Sequence, residues 1–444
     1  MSRKLIVAAV VAMIAFGATF AMATESRKET LGNQGLYLKD DTTIFANPAT
    51  MSAYRNMIRL HMGGIDDIIE SDVATEEASY TTDMHAYGGG TIGLTDALTL
   101  GLFVGRNPSY EMGGISTIRS KAVDLSAGEF LDPFAISAFA DDAVDWMNPF
   151  DVIVSYKMGN LAVGLSYYLA NGKMEDENNL SGVTYEASAR LHSLKFSALY
   201  KTDKMKPITM WFHWDPYSIV GKYADSTNSY ETTLSGNKMV LGTKVFYSLS
   251  DSVTVVPAVM WQNTSGELEW DEEIVLDHPS SVDYKMNTLM TGMSVQYKAD
   301  KLFLITSLSL KWSKAETTSD ADVTDLAVVE STSKTFSCPV AAIGIEYQAK
   351  KWLMLRSGVN TTTVWASKTS ESTETDDTTG ALIADSSSLE TIQPTTASVG
   401  VGLLFGNLTV DATLGNMILA GEDGSSDAGN GPNLFSHLDV KYMF

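Results

Sequence analysis

The sequence predicts an all-β protein. It is expected to be a transmembrane antiparallel β-barrel of sixteen strands, fourteen being the alternative count, with a short N-terminal plug segment. Three observations predict it. The stretch Leu438-Asp439-Val440-Lys441-Tyr442-Met443-Phe444 alternates apolar and polar residues and stops on an aromatic side chain. Residues 1–23 have the make-up of a secretory leader. Between these ends, oily alternating segments come in pairs joined by very short polar turns. Period two puts one oily and one polar face on a strand. A closed barrel has use for such strands throughout, because every backbone group is paired and no edge remains.

Taken in order, the leader has a basic start at Arg3 and Lys4, an apolar run from Leu5 to Phe20 and an A-x-A site at Ala21-Met22-Ala23. This reads as a cleaved signal peptide, since a spanning helix needs roughly 20 apolar residues with anchoring flanks. Residues 24–56 follow as a segment ahead of the first strand, and residues 57–444 form the barrel with long extracellular loops. The expected home is a bacterial outer membrane.

Within 57–444 the alternation is explicit. Leu98, Leu100, Leu102 and Val104 share one face. Leu161, Val163, Leu165, Tyr167 and Leu169 oppose Ala162, Gly164, Ser166, Tyr168 and Ala170. Leu302, Leu304, Leu308, Leu310 and Trp312 oppose a face ending in Ser307, Ser309 and Lys311. Val399, Val401, Leu403 and Phe405 oppose glycines, and Leu408, Val410, Ala412 and Leu414 oppose Thr409, Asp411 and Thr413. Tight turns fall near 95–97, 159–160, 203–204, 250–252, 299–300, 349–350 and 406–407. One strand before these hairpins, near 57–62, and one after them, at 433–444, bring the count to sixteen. An even count puts both barrel ends on the periplasmic side. Long loops are expected at 63–84, 106–149, 171–186, 216–236, 264–284, 315–333, 367–390 and 420–432. Aromatics such as Tyr156, Trp211, Trp214, Trp261, Trp312 and Trp352 cluster toward strand ends, as headgroup-level rings do.

The formal net charge of −23 opposes nucleic-acid binding, and losing Arg3 and Lys4 with the leader makes it more negative. Acid concentrates in two loops, with Asp66, Asp67, Glu70, Asp72, Glu76, Glu77 and Asp83 in one and Glu267 through Asp283 in the other. Such loops would attract divalent cations and bridge to lipopolysaccharide, although no loop has EF-hand spacing. The expected partners are therefore outer-membrane lipid and lipopolysaccharide, the barrel-assembly machinery reading Leu438, Val440, Tyr442 and Phe444, and a hydrophobic small molecule. Cys338 is the single cysteine and excludes an internal disulfide.

The segment 24–56 carries Gly32, Gly35, Leu38, Asp40-Asp41, Ile44-Phe45 and Asn47-Pro48-Ala49. An aspartate pair, an apolar pair and Asn-Pro-Ala ahead of a barrel resemble the FadL/OmpP1/TodX-like outer-membrane proteins, a broad superfamily that takes in secretion barrels of the PorV type. The resemblance implies that this segment folds into the lumen as a hatch holding Asp40, Asp41, Asn47, Pro48 and Ala49. A plug is also expected on physical grounds, because a barrel of this size has a lumen too wide for its own side chains to fill. The loop 106–149, with Phe130, Phe134, Phe139 and Trp146, is a second candidate for constriction or capture. Alternation places Lys195, Lys244, Lys311, Arg356 and Lys441 inside, against Glu346, Asp411 and Asp439.

No chemistry of an enzyme stands out. The six histidines lack ligand spacing, and H-E-x-x-H, G-x-S-x-G and phosphate-loop motifs are missing. The glycines at 88–90 and at 400 and 402 lie in strands without a following helix and read as easing curvature. No cofactor or resident metal is expected. The leading expectation is passive uptake of small hydrophobic solutes. The rival is a structural or secretion-partner barrel without a transport role.

Overall fold

A computed structural model describes residues 24–63, 86–107, 145–178, 183–202, 207–224, 229–270, 281–320, 328–373, 383–392, 395–420 and 437–444. The leader at 1–23, the acidic run at 66–83, Phe130, Phe134 and Phe139 lie outside these residues. Among the described residues no helix is long and apolar enough to cross a membrane.

The chain crosses with strands instead. They are β1 (Met57–Gly63), β2 (Ala86–Gly93), β3 (Leu98–Val104), β4 (Asp145–Met158), β5 (Leu161–Asn178), β6 (Val183–Tyr200) and β7 (Ile208–Ala224). Then come β8 (Ser229–Val245, continued by Tyr247–Ser248), β9 (Val253–Trp270), β10 (Ser281–Ala299), β11 (Leu302–Asp320) and β12 (Val328–Lys350). The last are β13 (Leu353–Thr373), β14 (Ile383–Ile392, continued by Thr395–Phe405), β15 (Leu408–Ala420) and β16 (His437–Met443). Both pieces of β8 pair with β9, and both pieces of β14 pair with β13, so each interrupted pair is one wall strand. The sheet is a closed antiparallel barrel of sixteen strands. β16 closes it: Leu60 of β1 lies opposite Val440 on one side and Gly88 on the other. Closure leaves no edge for another chain to add to.

The two faces of the wall differ as the alternation demands. Ile58, Leu60 and Met62 point out and are about half exposed, while Arg59 and His61 between them are buried inside. The same outward exposure holds for Leu100, Leu102, Val104, Phe196, Phe212, Leu308, Leu310 and Phe336. Water would penalise so large an apolar belt by about 25 cal/mol for each Å². Hydrocarbon removes that penalty, so the belt marks a transmembrane barrel. Trp214, Trp261, Trp312 and Trp352 are exposed outward. Trp211 is a correction. It faces the lumen at 7% exposure, lying where a Cβ on Gly242 would stand 2.1 Å from its ring.

The turns among the described residues fall where the sequence places them, with positive φ at Gly159, Asp300 and Gly406, while the turn expected at 203–204 lies outside those residues. Strand cuts into most of the expected loops, 171–186 and 216–236 furthest, and 264–284, 315–333 and 367–390 as well. β5 runs on to Asn178 and β6 starts at Val183; β7 runs on to Ala224 and β8 starts at Ser229. Backbone pairing needs no oily outward face, so the ladder continues past the belt where the outward side turns polar. Trp146 likewise falls within β4.

Residues 24–56 fill the lumen at the short-turn end. They form helix α1 (Glu25–Thr30), the single turn α2 (Thr43–Ala46) and a 3₁₀ helix at Pro48–Ala53. Thr24 caps α1 by accepting from Arg27 N at 3.3 Å. Gly32 ends it at φ +80°, a conformation that costs glycine little. Pro48 opens the 3₁₀ helix, where its missing N–H is no loss.

Candidate functional site

The plug meets every one of the sixteen strands. On one side the ties are charged. Arg27 bridges to Glu346 of β12 at 2.7 Å, Glu346 takes Arg356 of β13 at 2.6 Å, and Arg356 reaches Asp411 of β15 at 2.6 Å. Thr24 Oγ1 donates to the other oxygen of Asp411 at 2.9 Å. Beside this chain, Asp439 of β16 accepts from Ser26 N and Oγ, both at 2.9 Å, and from Arg59 and His61 of β1, both at 3.0 Å. A carboxylate only accepts here, so His61 carries a proton on Nδ1. Asp41 sits 3.0 Å from Lys441 and 3.7 Å from Arg59. Glu29 reaches His437 at 2.5 Å, and its backbone carbonyl accepts from Ser398 of β14 at 2.8 Å.

On the opposite side the wall donates to plug carbonyls. Lys195 of β6 reaches Phe45 O at 2.9 Å, and His213 Nε2 of β7 reaches Ala46 O at 2.6 Å. These are the last carbonyls of α2, the negative end of a helix turn. Lys244 of β8 donates to Leu36 O at 2.8 Å and Leu38 O at 3.0 Å. Val256 of β9 packs with Leu31 and Leu38, Gln296 of β10 donates to Tyr37 O at 2.8 Å, and Ser309 of β11 bonds the Tyr37 hydroxyl at 2.7 Å. Thr91 of β2 donates to Tyr54 O. Phe103 of β3 packs with Ile44 and Met51. Ser155 of β4 donates to Ala49 O at 3.3 Å, and Ser197 of β6 accepts from Ala49 N at 2.8 Å.

Luminal glycines admit the plug backbone. A Cβ on Gly164 of β5 would lie 2.2 Å from Ala49 N, and one on Gly358 of β13 would lie 2.3 Å from Gly32 N. Gly400 faces Thr30, and Gly402 leaves room for the Arg356–Asp411 pair. Close approach, rather than curvature, accounts for these two glycines.

The five plug residues named from sequence are all buried. Asp40 accepts from Thr43 N at 3.1 Å and from Thr42 Oγ1 at 2.5 Å, and burial pushes its carboxyl above the ordinary range. Burial also opposes the charge of Glu25, but Lys28 and Arg59 outweigh it and hold that carboxyl low. Asn47 accepts from Thr50 N at 3.0 Å, turning the chain into the 3₁₀ helix. Of the luminal charges, Lys195, Lys244, Arg356, Glu346 and Asp411 are buried in these ties. Lys311 lies opposite Met290 and the inward-facing Ser337 yet is exposed, outside the network. Leu438, Val440, Tyr442 and Phe444 lie on the outward side of the closing strand, with Phe444 N donating to Asn56 O at 3.0 Å.

A cavity of about 400 Å³ lies between the plug and the wall of β6–β9. Arg106 borders it, held by Asp151 through two bonds of 2.8 Å and stacked against Phe45 and Tyr168. Toward the long-loop end the luminal faces turn apolar. Tyr168, Leu191, Tyr217, Ile219, Leu234 and Tyr284 form a buried cluster inside the barrel. Tyr168 links it to the cavity by donating to Arg106 O at 2.8 Å, and Tyr284 borders a second cleft of about 550 Å³. Tyr217, Ile219, Leu234, Leu268, Val282 and Tyr284 fall in stretches that sequence reading assigns to loops. The signal was there, since Tyr217 and Ile219 continue the luminal parity of Trp211 and His213. Arg59, His61, Arg106 and Asp151 also went unnamed, although parity alone puts Arg59 and His61 inside.

No family model and no curated protein matches the chain. Solved structures similar to it are outer-membrane barrels. CdiB from Escherichia coli is 12% identical with a TM-score of 0.44, the match covering 88% of this chain and 63% of that one. The toluene transporter TodX from Pseudomonas putida is 9% identical with a TM-score of 0.36, covering 93% and 95%. The CymD monoaromatic hydrocarbon channel is 10% identical with a TM-score of 0.35, covering 94% and 96%. The chain spans 63% of CdiB and 62% of the siderophore receptor PirA from Acinetobacter baumannii. At these values the likeness concerns barrels in general, and no function follows from it.

Proposed function

We propose that this chain is an outer-membrane barrel through which small solutes, hydrophobic ones foremost, pass without energy coupling, and that residues 24–56 gate the passage. The observation that carries this reading is the cavity of about 400 Å³ resting on the plug, linked through Tyr168 to an apolar luminal cluster. An apolar lining lets a poorly hydrated solute leave water inside the barrel, and a plug made of a separate segment is a part that can shift. Outer-membrane lipid and lipopolysaccharide surround the belt in this reading, and the assembly machinery engages β16. Divalent cations would join the acidic loops to lipopolysaccharide. Among the described residues no group of three or more His, Cys, Asp or Glu side chains is placed to hold a metal ion.

The test is solute flux into proteoliposomes carrying the full chain, beside a variant lacking residues 24–56. Flux of small apolar solutes, raised by the deletion, is the expected outcome. A barrel that stays sealed in both forms would end the passage reading. One observation favours the rival: the plug is tied to all sixteen strands, as suits a barrel whose lumen stays shut. That reading makes the chain a surface anchor or secretion partner, and a stoichiometric surface protein co-purifying with sealed barrels would establish it.

A further inference from the structure

We infer that the cavity between the plug and the wall is a binding site for a small neutral solute with an apolar ring and an amide-like head. The inference deepens the passage reading by naming a solute class, and rests on it for the route by which the solute arrives.

Two polar side chains at this cavity have no partner. Asn47 borders it and is 4% exposed, and neither its Oδ1 nor its Nδ2 has a hydrogen bond. Both ends of the amide are unpaired, so the observation holds whichever way the amide is flipped. The backbone of Asn47 is engaged instead. Its N–H donates to Thr43 O at 2.6 Å, and its carbonyl accepts from Thr50 N at 3.0 Å and Thr50 Oγ1 at 2.7 Å. Those bonds fix the residue between α2 and the 3₁₀ helix without using its side chain. Trp211 of β7 borders the same cavity at 7% exposure. The absence of a Cβ at Gly242 seats its ring against the wall, and its indole N–H, which can only donate, meets no acceptor. A buried polar group without a partner has given up its hydration for nothing, so a ligand that pairs it recovers that loss.

The charges around the cavity do not call for a charged ligand. Lys28 pairs with Glu25 at 2.9 Å, Arg106 with Asp151 at 2.8 Å and Lys238 with Asp215 at 3.4 Å. Lys195 donates to Phe45 O, and Lys244 donates to Leu36 O and Leu38 O. Each cation is occupied within the protein, so an incoming ion would lose its water without gaining a free counter-charge. Leu36, Phe45, Val240 and Met260 border the same space and supply apolar contact for a ring. A plain hydrocarbon would fill that space and leave Asn47 and Trp211 as they are. A neutral head with a carbonyl and an N–H answers them. The carbonyl accepts from Trp211 Nε1 or Asn47 Nδ2, and the N–H donates to Asn47 Oδ1. The volume of about 400 Å³ is within the ordinary range for small-molecule sites.

The test titrates the full-length protein in detergent, by calorimetry, with benzamide, benzoate and toluene, which share a ring and differ in the head. Benzamide is expected to bind at least about tenfold more tightly than either of the others. Trp211→Phe and Asn47→Leu keep the ring and the bulk and remove the polar atoms. Each should weaken benzamide by about two- to tenfold and leave toluene unchanged. Benzoate or toluene binding as tightly as benzamide, or binding of none of the three, would overturn the inference. So would a benzamide affinity that neither folded variant moves. The three-probe comparison on the unaltered protein stands even where the variants fail to fold. A benzamide preference in barrels sealed to all three probes would sink passage and keep the site. Flux of benzamide and toluene above that of bare liposomes, without a preference in binding, would do the reverse.

Discussion

Arg356 shows what a single luminal charge does in this barrel. It lies fully buried and joins Glu346 to Asp411, carboxylates that in turn hold Arg27 and Thr24 of the plug. Burying charge is expensive, and a buried pair gains little unless both partners stay satisfied. Removing one partner leaves the other stranded. Arg356→Ala is therefore expected to cost about 3–5 kcal/mol of plug docking, read as new protease cleavage within residues 24–56 while the barrel keeps its heat-modifiable migration. Unchanged protection would mean that the network is not what holds the plug. Parity in the strands was enough to put Lys195, Lys244, Glu346, Arg356 and Asp411 inside. It was not enough to pair them, because Arg27 meets Glu346 across 319 positions of sequence. Nothing local in Glu25–Thr30 marks Arg27 as the partner.

Among the elements, the plug and the wall were legible to different depths. Alternation and short turns located all the hairpins, since both are local properties of a few consecutive residues. The ends of β5–β14 were misjudged because a strand beyond the lipid no longer needs an oily outward face, so the outward stripe fades while the hydrogen bonds continue. The plug's helices are short and its polar groups answer the wall, so its shape depends on distant strands. Gly358 is where the two fit together, with Gly32 N 2.3 Å from where a Cβ would stand. Backbone there cannot yield as a flexible side chain would. Gly358→Val is expected to lift α1 and the turn after it at an overpacking cost of about 1–3 kcal/mol. Conductance across planar bilayers should rise, approaching that of the variant lacking residues 24–56. Conductance equal to the parent protein would show that the plug docks elsewhere.

At the scale of the molecule, lipid is the solvent on one face and the plug is the filling on the other. Leu308 is 57% exposed in the outward belt. On a water-soluble surface its replacement by arginine would be nearly neutral. In a bilayer Leu308→Arg should cost about 2–4 kcal/mol near the midplane, measurable as a lowered denaturant midpoint for unfolding from lipid vesicles. No loss of stability would argue that this belt does not face hydrocarbon. The sequence by itself determined the class of fold, the strand count, the outward stripe and most of the charges that turn inward, because period two is written residue by residue. Only the tertiary structure decided which charges meet, how the plug engages all sixteen strands, and where the lumen becomes oily. Those follow from wrapping the sheet into a cylinder, which brings together residues hundreds of positions apart that no local pattern connects.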